Sequence, residues 1–487
     1  MAIDFTTLPV LSDERLGAAV VGRNDEFFAL ADNLLKAEPP IFVAERFTKR
    51  GKWMDGWETR RRRTPGVDWC IIRLGASGLV RGIVVDTAHF TGNFPKECWL
   101  EGCSVEGYPS AEELADAQWM PLGPKTALTG DSKHLVNVSL PARITHVRLT
   151  ISPDGGVARL RVHGEPVPDP RDVWGMPLDL AALEHGGVVT DCSDMYFSHR
   201  HNLNLPTSPT SMADGWETRR RRGPGNDWVV VRLVQEGVLR IAEVDTRYFK
   251  GNAPGSFSLE GRNDDGWHLL MGDTSLQAHM RHRFRVPPHE PVSHVRLNIF
   301  PDGGIARLRL WGALSVHGAE SLGLRWLDAL PQQVAEQELL SVCGSTGWAR
   351  AVAAARPYPS LAALEEAATS VWRGLDRADW LEAFAAHPRL GERSQRVRGG
   401  AGAWARQEQA GTAGAGSDVL AALDDGNRAY EAKFGHVFLL CATGLGADEM
   451  LAALRTRREN DPESELTVAA GEQEKITALR LRKLLTP

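Results

Sequence analysis

Asp55-Gly56-Trp57-Glu58-Thr59-Arg60-Arg61-Arg62-Arg63 stands twice in this chain of 487 residues, returning unchanged from Asp214 to Arg222. Nine identical residues that include a Gly-Trp-Glu step and an arginine quartet mark an internal duplication, and its ends divide the chain. Working outward at the same spacing, Asp68-Trp69 matches Asp227-Trp228, and Val85-Asp86-Thr87 matches Val244-Asp245-Thr246. Gly92-Asn93 matches Gly251-Asn252, and Leu100-Glu101-Gly102 matches Leu259-Glu260-Gly261. After a shortening of the second copy, His146-Val147-Arg148-Leu149 matches His294-Val295-Arg296-Leu297, and Pro153-Asp154-Gly155-Gly156 matches Pro301-Asp302-Gly303-Gly304. Upstream, Asn33-Leu34 pairs with Asn202-Leu203. Each copy is one domain's worth of chain, roughly 150 residues.

The pattern inside the copies is β. In 144–151, Ile144, His146, Arg148 and Thr150 alternate with Thr145, Val147, Leu149 and Ile151. The second copy alternates likewise, with His294, Arg296 and Asn298 against Val295, Leu297 and Ile299. A period of two with one apolar face predicts a half-buried antiparallel strand, which leaves His146 and His294 as structural positions on its polar face. Pro-Asp-Gly-Gly then predicts a hairpin turn, and 158–162 resumes as a strand with Arg159 and Arg161 outward. Short strands separated by Gly, Pro and Asp clusters imply two tandem jelly-roll β-sandwiches, at 1–165 and 166–315.

Alanine and leucine take over after Trp311, and period 3.6 replaces period two. Leu361, Leu364 and Ala368 share a helix face behind a Ser360 cap, and 379–386 and 472–485 also read as helices. Gly399–Gly402 and Gly411–Ser417 read as polar loops. The expected plan is a linker at 316–328 and an all-α domain at 329–487, large enough for its own core.

Composition is that of a globular protein, 43% hydrophobic and 24% charged, with a net charge of −6 shared evenly between 1–330 and 331–487. Neither part has the basic surplus of a nucleic-acid binder. The six cysteines contain no CxxC pair and suggest no disulfide framework. No signal-like N-terminus and no membrane-length apolar run is present, so a cytoplasmic location is expected, with no membrane partner. Oligomeric state is left open.

An extended Trp57–Arg63 puts Glu58, Arg60 and Arg62 on one face, opposite Trp57, Thr59, Arg61 and Arg63. Guanidinium groups grip carboxylates bidentately, and a neighbouring Glu can position them or accept N–H bonds. The plainer alternative is a solvated charged strand or ion pairs between the repeats. In the helical part, four clusters carry chemistry: His387-Pro388-Arg389-Leu390-Gly391, Glu408-Gln409 within 404–411, Phe434-Gly435-His436-Val437-Phe438, and Arg457 with Asn460. Taken singly, the plainer readings win, His387 as a helix C-terminal residue and Glu408 or Arg457 as a surface charge.

The duplicated motif, with its following Asp-Trp, Val-Asp-Thr, Gly-Asn and Pro-Asp-Gly-Gly, resembles the allantoicase family throughout residues 15–315. The resemblance implies tandem jelly rolls of galactose-binding-like fold that hydrolyse allantoate to ureidoglycolate and urea. Arginines would take the carboxylate and acidic or amide groups the ureido N–H donors. That points to Arg60, Arg62, Asp68, Asp86, Asn93, Glu217, Arg219 and Arg221 as substrate-binding residues, and to Glu58 and His89 for proton transfer. Tyr248 stands where His89 would be in the second copy, which favours the first copy as the active one. A divalent metal is left open. Because tandem jelly rolls often bind carbohydrate, the alternative for this part is a binding module.

The four helical clusters together resemble the 2-oxo-4-hydroxy-4-carboxy-5-ureidoimidazoline (OHCU) decarboxylase family, which forms (S)-allantoin without a cofactor. The resemblance implies His387 as the essential catalytic residue and Glu408 as its acidic companion. Gln409 and Arg457 would bind the ureido and anionic parts of the substrate. Ala405 stands where the family usually has Ser, and His436 is a smaller departure. A protonated imidazolium supported by a nearby carboxylate could deliver the proton that replaces CO₂. The chain as a whole is expected to be a bifunctional enzyme acting on ureides.

Overall fold

The computed structural model describes residues 4–389, Trp404 and 416–486. It divides into two compact units, Met1–Ala329 and Leu330–Pro487. In the first unit each repeat is built on one 19-residue strand, Asp68–Asp86 or Asp227–Asp245. The front half of Asp68–Asp86 pairs antiparallel with Ala19–Arg23 and Arg143–Ser152, and the latter pairs onward with Glu97–Cys103. Its back half pairs with Lys133–Asn137 on one side and Arg159–Pro166 on the other. A single strand thus feeds both layers of the sandwich. Ile72, Leu74, Val80, Ile83 and Val85 along it meet Val147, Leu149, Leu160 and Val162 in a common core. The second repeat repeats this pairing with Val188–Cys192, Val292–Phe300, Ser256–Asn263, Arg281–Arg285 and Arg307–Leu314, and Gly266–Ser275 extends its edge.

Four expectations change. The strand through 144–151 has a bulge between Ile144 and His146, so Ile144 joins Val147, Leu149 and Ile151 in the core. Lying between two neighbours, this strand is buried on both faces, and His146 is only 1% exposed. Pro-Asp-Gly-Gly does not close a hairpin. The strands on either side of it pair with opposite halves of Asp68–Asp86, so the turn carries the chain between layers. Its glycines answer to contact as well as to turn geometry: Gly155 has φ 138, and a Cβ on Gly156 would lie 1.9 Å from the Phe90 ring. Arg159, expected to face solvent, is 1% exposed, because segment 36–55 covers its face. Finally, 316–328 is no open linker. Val316–Ala329 is a helix whose Leu322 packs into the core of the second repeat.

The duplicated motif sits where the buried charges are. Trp57 and Trp216 are fully buried, and each indole donates at 2.8 Å to a loop carbonyl, of Asp25 and Asp194 respectively. Asp55 accepts from the Arg159 guanidinium at 2.7 Å, and Asp214 accepts from Arg307 at 3.2 Å. Asn33 and Asn202 each donate at 3.0 Å to the carbonyl of the motif's glycine. The copies differ in the third partner of the aspartate. Both aspartates accept a backbone N–H at 3.1 Å, from Ile41 and Thr210, but Lys36 completes Asp55, whereas Arg15 of the first repeat reaches Asp214 at 3.0 Å and ties the repeats together.

In the second unit, helices Gln332–Cys343, Thr346–Ala354, Leu361–Gly374, Arg377–Ala385, Ser417–Phe434, Ala447–Arg457 and Pro462–Leu485 form the all-α architecture. Ser360 caps its helix through a 3.1 Å bond from Ala363 N–H, and Leu364, Ala368 and Trp372 form the buried stripe. Ser417 opens a helix rather than closing a loop, and 399–402 and 411–415 lie outside the described residues. Among the described residues all six cysteines are free, and no helix is long and apolar enough to cross a membrane.

Removing Asp55 leaves Arg159 buried without its carboxylate. Asp55→Ala is expected to cost ~3–5 kcal/mol, read as a lower urea midpoint of the β unit, with part of the loss recovered in Asp55→Ala/Arg159→Met.

Candidate functional site

Only Trp57–Glu58 of the motif is strand, paired with Gly156–Val157. Trp57 and Thr59 are buried, whereas Arg61 and Arg63, expected on the same face, are exposed. Arg60 holds Asp25 at 2.6 Å, and its guanidinium lies over the Phe27 ring. Arg62 lies 3.4 Å from the buried Asp68 carboxylate, and its backbone N–H donates to Asp154 at 2.8 Å. The second copy repeats this wiring, with Arg219 at Asp194, Arg221 at Asp227, and the Arg221 N–H donating to Asp302 at 2.8 Å. Four of the expected substrate-binding arginines therefore already have carboxylate partners, and Asp68 serves as one of these. The side chains of Arg61, Arg63, Arg220 and Arg222 make no hydrogen bond or ion pair among the described residues, and Arg61 and Arg63 are exposed.

Glu58 differs from the other acids of the motif. Its carboxylate accepts from the Asn93 amide at 2.7 Å and meets no guanidinium among the described residues. Burial raises its pKa, and the Asn93 bond only partly opposes this. Glu217 and Asn252 make the same contact in the second copy. A half-buried carboxylate oriented by a neutral amide can exchange a proton with a ligand, which an ion-paired one does poorly.

His89 is placed elsewhere. Its backbone is in the left-handed region at φ 68, its N–H donates to Asp131 at 2.8 Å, and its Nε2 lies 3.1 Å from the Pro40 carbonyl. The ring stacks on Phe42 and makes no hydrogen bond with Glu58. Tyr248 has the same backbone strain at φ 71, with His279 in place of Asp131. The His89 side chain pins segment 36–52, which the second copy lacks in part. Asp86 accepts the Ala88 N–H at 2.8 Å and lies away from the motif's arginines, beside Arg159 in strand register. The sequence reading missed Asp25 and Asp154. Both recur at the repeat spacing, as Asp194 and Asp302, and that recurrence was the available signal.

In the helical unit, His387 follows the helix Arg377–Ala385, its N–H donating to the Phe384 carbonyl at 3.1 Å. Its Nε2 is buried without a hydrogen-bond partner among the described residues. Burial, reinforced by the Arg480 guanidinium and only partly opposed by Gln473, pushes the imidazole down to about 3. Gln473, Thr477 and Arg480 form a buried polar wall on Pro462–Leu485 that the sequence reading did not single out. Their signal was weak, since polar residues on an amphipathic helix usually face water. Arg457, expected at an anion, instead holds the fully buried Glu465 at 2.6 Å and the Leu439 carbonyl at 2.6 Å, and Asn460 donates to the same carboxylate at 2.7 Å. Arg389 grips Glu431 with two bonds of 2.7 and 2.6 Å. His436 packs among Phe384, Tyr430 and Phe434. Ala405, Glu408 and Gln409 lie outside the described residues.

The model of the allantoicase repeat matches residues 10–167 and 178–315, and that of OHCU decarboxylase matches 328–482. The chain belongs to the allantoicase family, with an OHCU decarboxylase domain at its C-terminal end. A probable allantoicase of Streptomyces avermitilis is 47% identical over 341 residues, 66% of this chain and 90% of that protein. One of Nocardia farcinica is 48% identical over 314 residues, 64% of this chain and 95% of that protein. A crystal structure of allantoicase from Saccharomyces cerevisiae is 34% identical with a TM-score of 0.56, covering 63% of this chain and 96% of that one. With the allantoicase model spanning both sandwiches, the carbohydrate-binding alternative is not favoured. Among the described residues no group of three or more His, Cys, Asp and Glu side chains is placed to hold a metal ion.

His387 is expected to stay neutral through the physiological range. Its ring resonances in a pH titration should show no inflection between pH 5 and 8. Because the unfolded chain takes up this proton near pH 6.5, His387 also favours folding above that pH, and its contribution is lost as pH falls from there toward 3.

Proposed function

We propose that the repeats hydrolyse allantoate to ureidoglycolate and urea, with Glu58 as the proton-transfer carboxylate. The observation that carries this is the Glu58–Asn93 contact, a half-buried acid held at one oxygen and free of any cation. Arg61, three residues on and unpaired, is the guanidinium available to the substrate carboxylate. Arg60 and Arg62, locked to Asp25 and Asp68, shape the loop that presents it. Glu217, Asn252 and Arg220 offer the same arrangement in the second repeat.

The helical domain decarboxylates the ureidoimidazoline to (S)-allantoin. His387 is its proposed proton carrier, together with Glu408 and Gln409. A resting neutral imidazole must first accept a proton before returning one to the carbon that loses CO₂. Arg457 then acts through Glu465, Tyr430 and Asn460, holding the floor of the domain in place.

Urea release from allantoate by Glu58→Gln/Glu217→Gln is expected to fall about 100-fold or more, and the single variants report which repeat works. Wild-type urea release by the double variant would overturn the assignment. His387→Ala should abolish CO₂ release from the ureidoimidazoline while leaving urea release intact, measured on the same preparation of the full chain.

A further inference from the structure

Where the two repeats meet, guanidinium groups outnumber carboxylates. Val188 stands opposite Arg232 in strand register yet packs into the core of the first repeat, which brings Arg232 to the boundary. A Cβ on the nearby Gly186 would lie 3.1 Å from Pro168 and 3.4 Å from Val234. The chain just beyond Arg159–Pro166 therefore runs beside the strand that carries Arg232. The helix Val316–Ala329 packs on the same strand's core through Leu322 and contributes Arg325.

Glu165, near the end of Arg159–Pro166, is the acid of this junction. One of its oxygens accepts from Arg81 Nε at 2.8 Å, and the other lies 3.5 Å from Arg325 Nη2. Arg232 is half-buried and makes no hydrogen bond or ion pair among the described residues. Burial lowers its pKa, and the charge of Glu165 opposes this. Burial, and after it the charge of Arg232, pushes Arg325 down to about 10, with Glu165 opposing and Arg81 adding to the fall. Among the described residues no second carboxylate acts on Arg232 or Arg325. His294, opposite Arg232 in register, is lowered by burial and then by Arg232, so it adds no compensating charge. Three guanidinium groups thus share one carboxylate, and two positive charges are left over. The nitrogens of Arg232 and Arg325 that lack partners are not sealed from solvent.

The duplication did not copy this grouping. Arg73, the counterpart of Arg232, lies over the Tyr108 ring at 4.4 Å, and Ala313 stands where the first copy has Glu165. The cluster exists only where the copies join. Partly desolvating a guanidinium without a partner opposes folding, so stability alone does not account for Arg232.

We propose that this junction binds a phosphate dianion, free or as the monoester of a small metabolite, held by Arg81, Arg232 and Arg325. Guanidinium forks match pairs of phosphate oxygens, and a dianion balances the two charges left over, where a monocarboxylate would balance one. The site shares no residue with the Glu58–Asn93 contact and does not depend on its role.

Calorimetric titration of the full chain with inorganic phosphate, at fixed ionic strength in phosphate-free buffer, tests this. Wild type should bind one phosphate per chain, and acetate should bind about tenfold more weakly. Arg232→Met removes a side chain without a protein partner. That variant should keep or raise the melting temperature and release urea as wild type does, while phosphate affinity falls about tenfold. Glu165→Gln removes the competing carboxylate and should tighten phosphate binding. Glycerol 3-phosphate separates the two sources: tighter binding than phosphate identifies a monoester as the ligand, and binding no tighter identifies free phosphate. No phosphate binding by wild type, acetate bound as tightly as phosphate, wild-type affinity in Arg232→Met, or weaker binding in Glu165→Gln would each overturn the proposal.

Discussion

The buried pairing of the motif aspartate with the arginine after Pro-Asp-Gly-Gly-x-Ala holds each repeat in register. Asp55 and Arg159 are about a hundred residues apart in sequence, and both are nearly inaccessible to water. Arg159 also donates to the carbonyls of Glu38, Asp55 and Ala158, so the chain cannot shift there without exposing unpaired polar groups. Once this contact is made, Trp57 is fixed in the core, and the two-residue strand Trp57–Glu58 lies against Gly156–Val157. Glu58 then meets Asn93, because Gly156 N–H donates to the Asn93 carbonyl at 2.7 Å.

The duplication has preserved this frame and let the surfaces around it diverge. Asp214–Arg307, Trp216, Thr218 and Glu217–Asn252 reproduce the first copy's contacts. What changed is the third partner of the aspartate and the outer face of the back layer. In the first repeat the longer segment supplies Lys36 and Ile41 to Asp55 and walls a cleft. In the second repeat Asp214 takes Arg15 of the first copy in place of a lysine from its own shorter segment. Glu243, with three arginines around it, stands where the first repeat has Val84.

The arginine quartet illustrates why residue type alone misleads. The alternation singled out Arg60 and Arg62 for the substrate, but these two have acids within reach, and Arg61 and Arg63 do not. The acids, Asp25 and Asp68, lie 35 residues before and 6 after their partners. In the helical domain Arg457 likewise looked like an anion-binding residue and proved to be the partner of Glu465, eight residues on. His387, expected to carry a proton as imidazolium, is instead held neutral, because burial and Arg480 outweigh what a free histidine would do.

The sequence by itself determined the duplication, the β character of the repeats, the helical nature of residues beyond the second repeat, and both family resemblances. These rest on local periodicity and on long identical motifs, which survive without knowledge of distant contacts. Only the tertiary structure decided that Ile144 faces the core, that Pro-Asp-Gly-Gly bridges layers, that Arg159 is buried, and that residues 316–328 are a helix packed on the second repeat. Each depends on which segment covers which face, a matter of long-range pairing. The same holds for His89, whose side chain anchors Pro40, and for Glu58, set apart by the absence of a cation beside it. A charge is committed or free according to neighbours that sequence spacing does not reveal.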